Sequence, residues 1–356
     1  MKSTLSLPTA LLTALLSAAT FACAAQVPLP DDTRMSPQEA AQLQAAQDAS
    51  AAYYLRIAAE LAASGEAREL AFAATLLPLA GRNPPDGAVP GGDAPSRAVP
   101  RDPRVAQWRQ LASARAGSDA LANILLLQGD SRTADAARGQ ALERWQRLEP
   151  DNLAPRLYAG DADAWLPQAG AYARLDMHYY EQLRWIQAAL AAHPPQANER
   201  AMFGGADVAP DEAAAIAAAG IMAAVAMPGL RALSEACSGD ALDAAPTRRA
   251  DCRHVGRVAA DTADTSLGTS IGIGLLQATA ATPAQRADAQ ERRRSHDWRM
   301  IQWGRAATSQ PDDGAAQFVR LLRDPAVRGE RDLVDRVLAE ARIAPQPPAG
   351  WEMPRR

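Results

Sequence analysis

Ala141-Leu142-Glu143-Arg144-Trp145-Gln146-Arg147-Leu148-Glu149-Pro150-Asp151-Asn152 is the stretch whose reading decides the fold. It closes a helical pattern that starts at Thr133, and Pro150, which lacks an N–H and clashes with the preceding turn, stops that helix. Asp151 or Asn152 then offers the short polar side chain that caps the next one. Helix, sharp turn, helix is the local rule, and it extends in both directions.

Toward the N-terminus, helical patterns cover Asp119 to Gln128 and Val105 to Ala116. Before them, Tyr54, Ile57, Ala58, Leu61 and Ala62 recur at three-and-four spacing up to Ser64-Gly65, and a second helix runs from Glu66 to Ala80. A Ser-Gly connection this short makes the two antiparallel, a helical hairpin. Residues 82–103 hold six prolines and three glycines with almost nothing large and apolar, which predicts a linker. Toward the C-terminus, Asp176 is a good N-cap, and Tyr179, Leu183, Ile186 and Leu190 form a stripe ending at His193-Pro194-Pro195. From Pro210 onward helices are expected over about 212–236, 246–279, 283–309, 313–323 and 329–342, before a Pro-rich tail that Trp351 could dock. The expected organisation is all-α, stacked helical hairpins in two helical regions: an export signal 1–24, a hairpin 36–81, the linker 82–103, helical regions 104–205 and 210–343, and a flexible tail 344–356.

The 141–152 junction resembles the boundary between tetratricopeptide repeats, where an apolar helix ends in a Leu-x-Pro-x-Asn turn so that successive hairpins reverse at the same depth. Ala159 and Gly160 fall where that family places its small helix-contact pair, whereas Arg156 stands where its large aromatic belongs. The resemblance covers about one repeat, with no sustained period of about 34 residues. It implies an α-solenoid-like stack with a binding or scaffolding role.

Alanine makes up about a quarter of the chain and aromatics 5%, so the apolar material is small and favours closely packed helices. The net charge of -4 argues against a nucleic-acid partner, which needs a basic excess on one face. Lys2, the apolar run Leu5 to Phe21 and the small-x-small Ala22-Cys23-Ala24 read as an export signal, which places the protein in the periplasm or outside the cell. Cleavage after Ala24 removes Cys23, whereas cleavage before Cys23 would leave a lipid anchor in the outer membrane. Thr20 stands where the lipoprotein box needs an aliphatic residue, so the free protein is expected. In an oxidising compartment Cys237 and Cys252 are expected to pair as a structural disulfide, because their spacing is not that of a reactive C-x-x-C. Residues 213–230 are uncharged, but the run is mostly Ala and contains Gly220, Pro228 and Gly229, so a buried helix is expected there and no membrane span after cleavage.

Several motifs invite a catalytic reading. Gly268-Thr269-Ser270-Ile271-Gly272 fits G-x-S-x-G, yet its surroundings read as helix without the strand that exposes a nucleophilic serine. His296 and Asp297 are adjacent and point about 100° apart on a helix, so they do not build a relay. The better reading is a row of small residues, Ser266, Ser270 and Gly274 with Gly268 and Gly272, that lets another helix approach. Gly274-Leu275-Leu276-Gln277-Ala278-Thr279-Ala280-Ala281-Thr282 resembles a segment of lytic transglycosylases, which would imply a peptidoglycan-acting glycosidase. Those enzymes need an upstream Glu as general acid, and between Ala236 and Gly274 only aspartates such as Asp261 and Asp264 are available. His178, His193, His254 and His296 are scattered, so no metal site or cofactor is expected, and Arg292-Arg293-Arg294 reads as a solvated face balanced by Glu291 and Asp288.

One distribution points toward binding. Trp145, Tyr158, Trp165, Tyr172, Tyr179, Tyr180 and Trp185 lie within 41 residues, with Arg156, Arg174 and Arg184 interleaved. Trp, Tyr and Arg dominate interface hot spots, while the same rings would equally fill the core of an Ala-rich region. The expected function is a non-catalytic exported module that binds an unidentified protein or peptide through Trp145, Arg156, Tyr158, Trp165, Tyr172, Tyr179, Tyr180, Arg184 and Trp185.

Overall fold

A computed structural model describes residues 36–81, 102–128, 135–203, 208–225, 228, 230–309 and 314–354. The expected export signal, Cys23 with it, and residues 82–101 of the expected linker lie outside the described residues. Among the described residues the fold is all-α, and one isolated parallel bridge joins Asn152 and Arg174. No helix there is long and apolar enough to cross a membrane. The chain divides into two compact units, residues 36–144 with 187–217 and residues 145–186 with 218–354.

In the first unit, α1 (Pro37–Ser64) opens with a capping box between Ser36 and Glu39 and ends at Gly65, whose φ of 76° suits glycine. Helix α2 (Ala67–Ala80) turns back on it, forming the expected hairpin. Tyr53, Ile57 and Leu61 of α1 and Leu70, Phe72 and Leu76 of α2 are buried, each such side chain contributing roughly 1.5–3 kcal/mol. Helices α3 (Pro103–Ala116) and α4 (Ala120–Leu127) pack on α2, and α4 buries Leu121, Ile124, Leu125 and Leu126. Asp119 caps α4 by accepting the Ala122 N–H at 3.1 Å and holds Arg68 of α2 through two further bonds of 2.7 and 3.1 Å. Arg144, in α5 (Ala136–Leu148), donates to the wholly buried Asn123 at 2.7 Å.

The second unit begins at Trp145. After the turn at 149–152 come α6 (Ala154–Ala159), α7 (Ala162–Trp165) and a 3-10 turn (Leu166–Ala171), then the first part of α8 (Tyr179–Ala191). The later elements are the end of α9 (Pro210–Ala224), α10 (Leu230–Ala236), α11 (Arg248–Thr262), α12 (Ser266–Ala278), α13 (Pro283–Ser309), α14 (Gly314–Arg323) and α15 (Glu330–Glu340). Helices α11 and α12 touch almost backbone to backbone: a Cβ on Gly272 would lie 2.3 Å from the Ala260 nitrogen. Cys237, just past α10, and Cys252 of α11 form a disulfide with their Cα atoms 5.7 Å apart, closing a loop of a length that stabilises by about 3 kcal/mol.

Four expectations need correcting. The helix expected over 246–279 is two, because Thr265 accepts the Gly268 N–H at 3.2 Å and starts α12 afresh. The helix over 212–236 is also two, α9 and α10, with Pro228 between them. The turn at 149–152 leads to a six-residue helix rather than the second arm of a repeat hairpin: Asn152 accepts the Ala154 N–H at 3.1 Å and also bonds Asp176, and the helix ends at Gly160, whose φ is 87°. Residues 344–354 of the expected flexible tail lie tied along α13. Trp298 donates to the Ala344 carbonyl at 2.9 Å, Arg294 to Pro348 and Trp351 at 2.8 and 3.0 Å, and the Trp298 and Trp351 rings meet at 5.3 Å.

Candidate functional site

The residues singled out between 145 and 185 sort by burial. Trp145, Trp165, Tyr172 and Tyr180 are buried, and Arg156, Tyr158, Tyr179, Arg184 and Trp185 are half-buried. The rings form small separate groups, Trp145 with Tyr158 at 5.7 Å, Trp165 with Tyr172 at 6.0 Å and Tyr179 with Tyr180 at 5.9 Å, rather than one exposed stripe. Arg184 donates to the carbonyls of Leu322, Asp324 and Val327, so its guanidinium fastens the segment after α14. Arg156 bonds Gln146 at 3.2 Å.

Beside Trp145 lies a polar knot that the sequence did not announce. His178 has a φ of 53°, left-handed for a residue with a side chain, stabilised by its N–H donating to Asp176 at 2.8 Å. Its ring is held between Glu149 at 2.8 Å and Glu181 at 2.9 Å, and Glu149 also accepts from Trp145, Asn152 and Arg174. Burial pulls the His178 pKa down, but the two glutamates outweigh it and hold the ring protonated, with a pKa pushed up to about 10. For Glu149 burial raises the pKa, and the bonds from His178, Asn152 and Trp145 reverse this to about 2.

Immediately after His178, α8 begins, and the Asp264 carboxylate caps it from the α11–α12 junction by accepting the Met177 and Tyr179 amides at 3.0 and 2.8 Å. Burial and the charge of Asp176 push the Asp264 pKa up to about 6 against those amide bonds. The backbone carbonyl of Asp264 accepts the Glu330 N–H at 2.8 Å, and Glu330 in turn accepts the Ser266 N–H at 2.6 Å at the start of α12. One three-residue junction thereby fixes the starts of α8, α12 and α15. Of the two aspartates weighed as acids, Asp264 is occupied in this way, and Asp261 pairs with Arg292 at 2.5 Å.

The G-x-S-x-G serine, Ser270, is in mid-helix in α12 and is held by Arg293 at 2.9 Å. His296 instead faces a cleft of about 230 Å³ against α11, α12 and α13, with Ser266, Thr269 and Ile273 on its wall. The exposed acids Asp261, Asp288 and Glu291 border the cleft, together with Arg292, which bridges the first two. Arg299 and Arg331 complete its basic side, and Gln346 reaches it from the docked tail. Burial and the nearby Arg293, Arg331 and Arg299 lower the His296 pKa to about 4, so its ring is neutral near pH 7. Among the described residues no group of His, Cys, Asp and Glu is arranged to hold a metal ion.

Searches against protein-family models, curated proteins and solved structures match nothing to this chain. The chemistry of the cleft is what bears on function. The sequence showed His296 as the neighbour of Asp297 and as one of four scattered histidines, and Arg299 and Arg331 lie too far apart along the chain for any spacing rule to join them.

Proposed function

We propose that the chain is a non-catalytic helical binding protein working in the periplasm or outside the cell, with the cleft of its second unit taking part of a peptide or protein partner. The observation that carries this reading is the division of labour among its reactive groups. Ser270, Asp264 and His178 each serve the fold, through Arg293, the α8 amides and the paired glutamates respectively. His296, Arg299 and Arg331 line the cleft instead, and concave sites with a few convergent polar groups are where ligands bind. The Cys237–Cys252 disulfide supports an oxidising compartment, and the basic, apolar start of the chain supports export.

The test is site-specific photo-crosslinking in the exporting cell. A photoreactive residue at Ser295 or Gln346, on the cleft, should give a discrete adduct, and one at the exposed Arg231 of α10 should give none. Equal labelling from all three positions, or release of muropeptides from peptidoglycan by the purified chain, would overturn the reading.

A further inference from the structure

We infer that the cleft beside α13 recognises the free carboxyl end of a peptide chain that carries a basic side chain close to that end, an assignment that rests on the binding role proposed above. The cleft's volume, about 230 Å³, lies below the roughly 300–1,000 Å³ of ordinary ligand pockets, which suits a chain end and is too small for a folded element.

The inner side of the cleft is built for a carboxylate. The His296 ring nitrogens have no hydrogen-bond partner among the described residues, and the ring lines the cleft, where a ligand can reach it. Arg331 makes one bond, to the Ala260 carbonyl at 2.9 Å, and has no carboxylate within ion-pair distance among the described residues. Arg299 donates to the Pro345 carbonyl at 3.2 Å and stands 3.6 Å from Asp335, which leaves part of its planar fork available. A carboxylate accepts two parallel N–H bonds from one guanidinium, a geometry that few other small groups match, and the neutral imidazole can donate a third.

The rim carries the opposite sign. Asp261, Asp288 and Glu291 are exposed, and Arg292 and Arg294 offset them only in part. A bare anion would meet these acids as it entered and be repelled. A chain end with an ammonium or guanidinium a few atoms from its carboxylate satisfies both sides, the cation at the rim and the anion inside. Charge complementarity of this kind selects the partner as well as its orientation.

The experiment compares acetyl-Ala-Lys-Ala as the free acid with the same peptide as its C-terminal amide, by calorimetry on the purified full chain. Binding of the free acid, at least tenfold weaker for the amide and for acetyl-Ala-Glu-Ala, is the expected result. Arg331→Gln, which keeps a donor for the Ala260 carbonyl, should weaken the free acid at least tenfold while the helical circular dichroism stays that of wild type. Succinate and inorganic phosphate at the same concentration should compete poorly. Equal binding of acid and amide would overturn the assignment while leaving a peptide-binding cleft. No binding of either peptide, with cleft-specific crosslinks still formed at Ser295, would overturn the assignment alone. No binding and no crosslinks would remove both readings. If Arg331→Gln loses its helical signal, Arg299→Gln replaces it, and wild-type affinity in that variant would count against the proposal.

Discussion

Asp119 in the first unit and Asp264 in the second both cap helices, by opposite routes. Asp119 stands directly before α4, accepts the N–H three residues on and also fastens α2 through Arg68. Asp264 reaches back 85 residues to Tyr179 and caps α8 from outside its own segment. Their surroundings differ in the same sense. Both units bury large side chains, but the first does so between helices joined or capped by near neighbours, whereas the second also brings α11 against α12 through glycine and ties helix ends together with half-buried carboxylates. Large side chains fill space wherever a helix places them. Glycine contacts and remote caps work only when a particular partner is already in position.

That contrast can be broken first at Gly272. Replacing it with Val puts atoms where the α11 backbone stands, and a loss of about 3 kcal/mol or more is expected in denaturant unfolding of the full chain. Wild-type stability would mean that the close α11–α12 approach is not required.

Asp264→Ala should cost about 2 kcal/mol, because it removes a charged acceptor from two backbone amides. Asp264→Asn sharpens the point through pH. The folded-state pKa of Asp264 is raised from 3.8 to about 6, so its stabilising contribution is complete below pH 3.8 and is lost as pH rises through about 6. The stability gap between wild type and Asp264→Asn should therefore narrow over that interval, and a gap that widens there would show that the two amide bonds outweigh burial and the charge of Asp176.

His178 gives a second window. Its raised pKa makes its contribution complete below 6.5 and lost as pH climbs through about 10, while the lowered pKa of Glu149 makes its own complete above 4.5 and lost as pH falls through about 2. His178→Gln should cost about 1.5 kcal/mol between pH 4.5 and 6.5, shrinking as pH rises from 6.5 to about 10, measured by thermal unfolding across pH. The smallest effect is expected from Asp119→Ala, about 1 kcal/mol, the ordinary worth of a local cap. An Asp119 variant more damaging than the Asp264 one would erase the distinction between near and remote caps.

Legibility follows the same line. The α1–α2 hairpin is readable because Ser64-Gly65 and the three-and-four spacing act within a few residues, and α13 is readable over Pro283–Ser309 for the same reason. The break at Thr265 is harder to see, because no proline marks it, and its decisive partners, Met177, Tyr179 and Glu330, are distant. The aromatic and arginine cluster between 145 and 185 was visible as composition, but composition does not say which way a ring faces. Trp145 and Tyr180 are buried, and the cleft draws its basic side from α13 and α15 instead.

By itself the sequence determined the helical class, such interruptions as Gly65 and Pro150, and the one pair of cysteines suited to a structural disulfide, since each depends on local backbone chemistry or simple elimination. Only the tertiary structure decided that Asp264 is a cap, that His178 is locked between two glutamates, and that His296 shares a cleft with Arg299 and Arg331. Those roles depend on distances between groups far apart in the chain, which packing creates and local spacing does not encode.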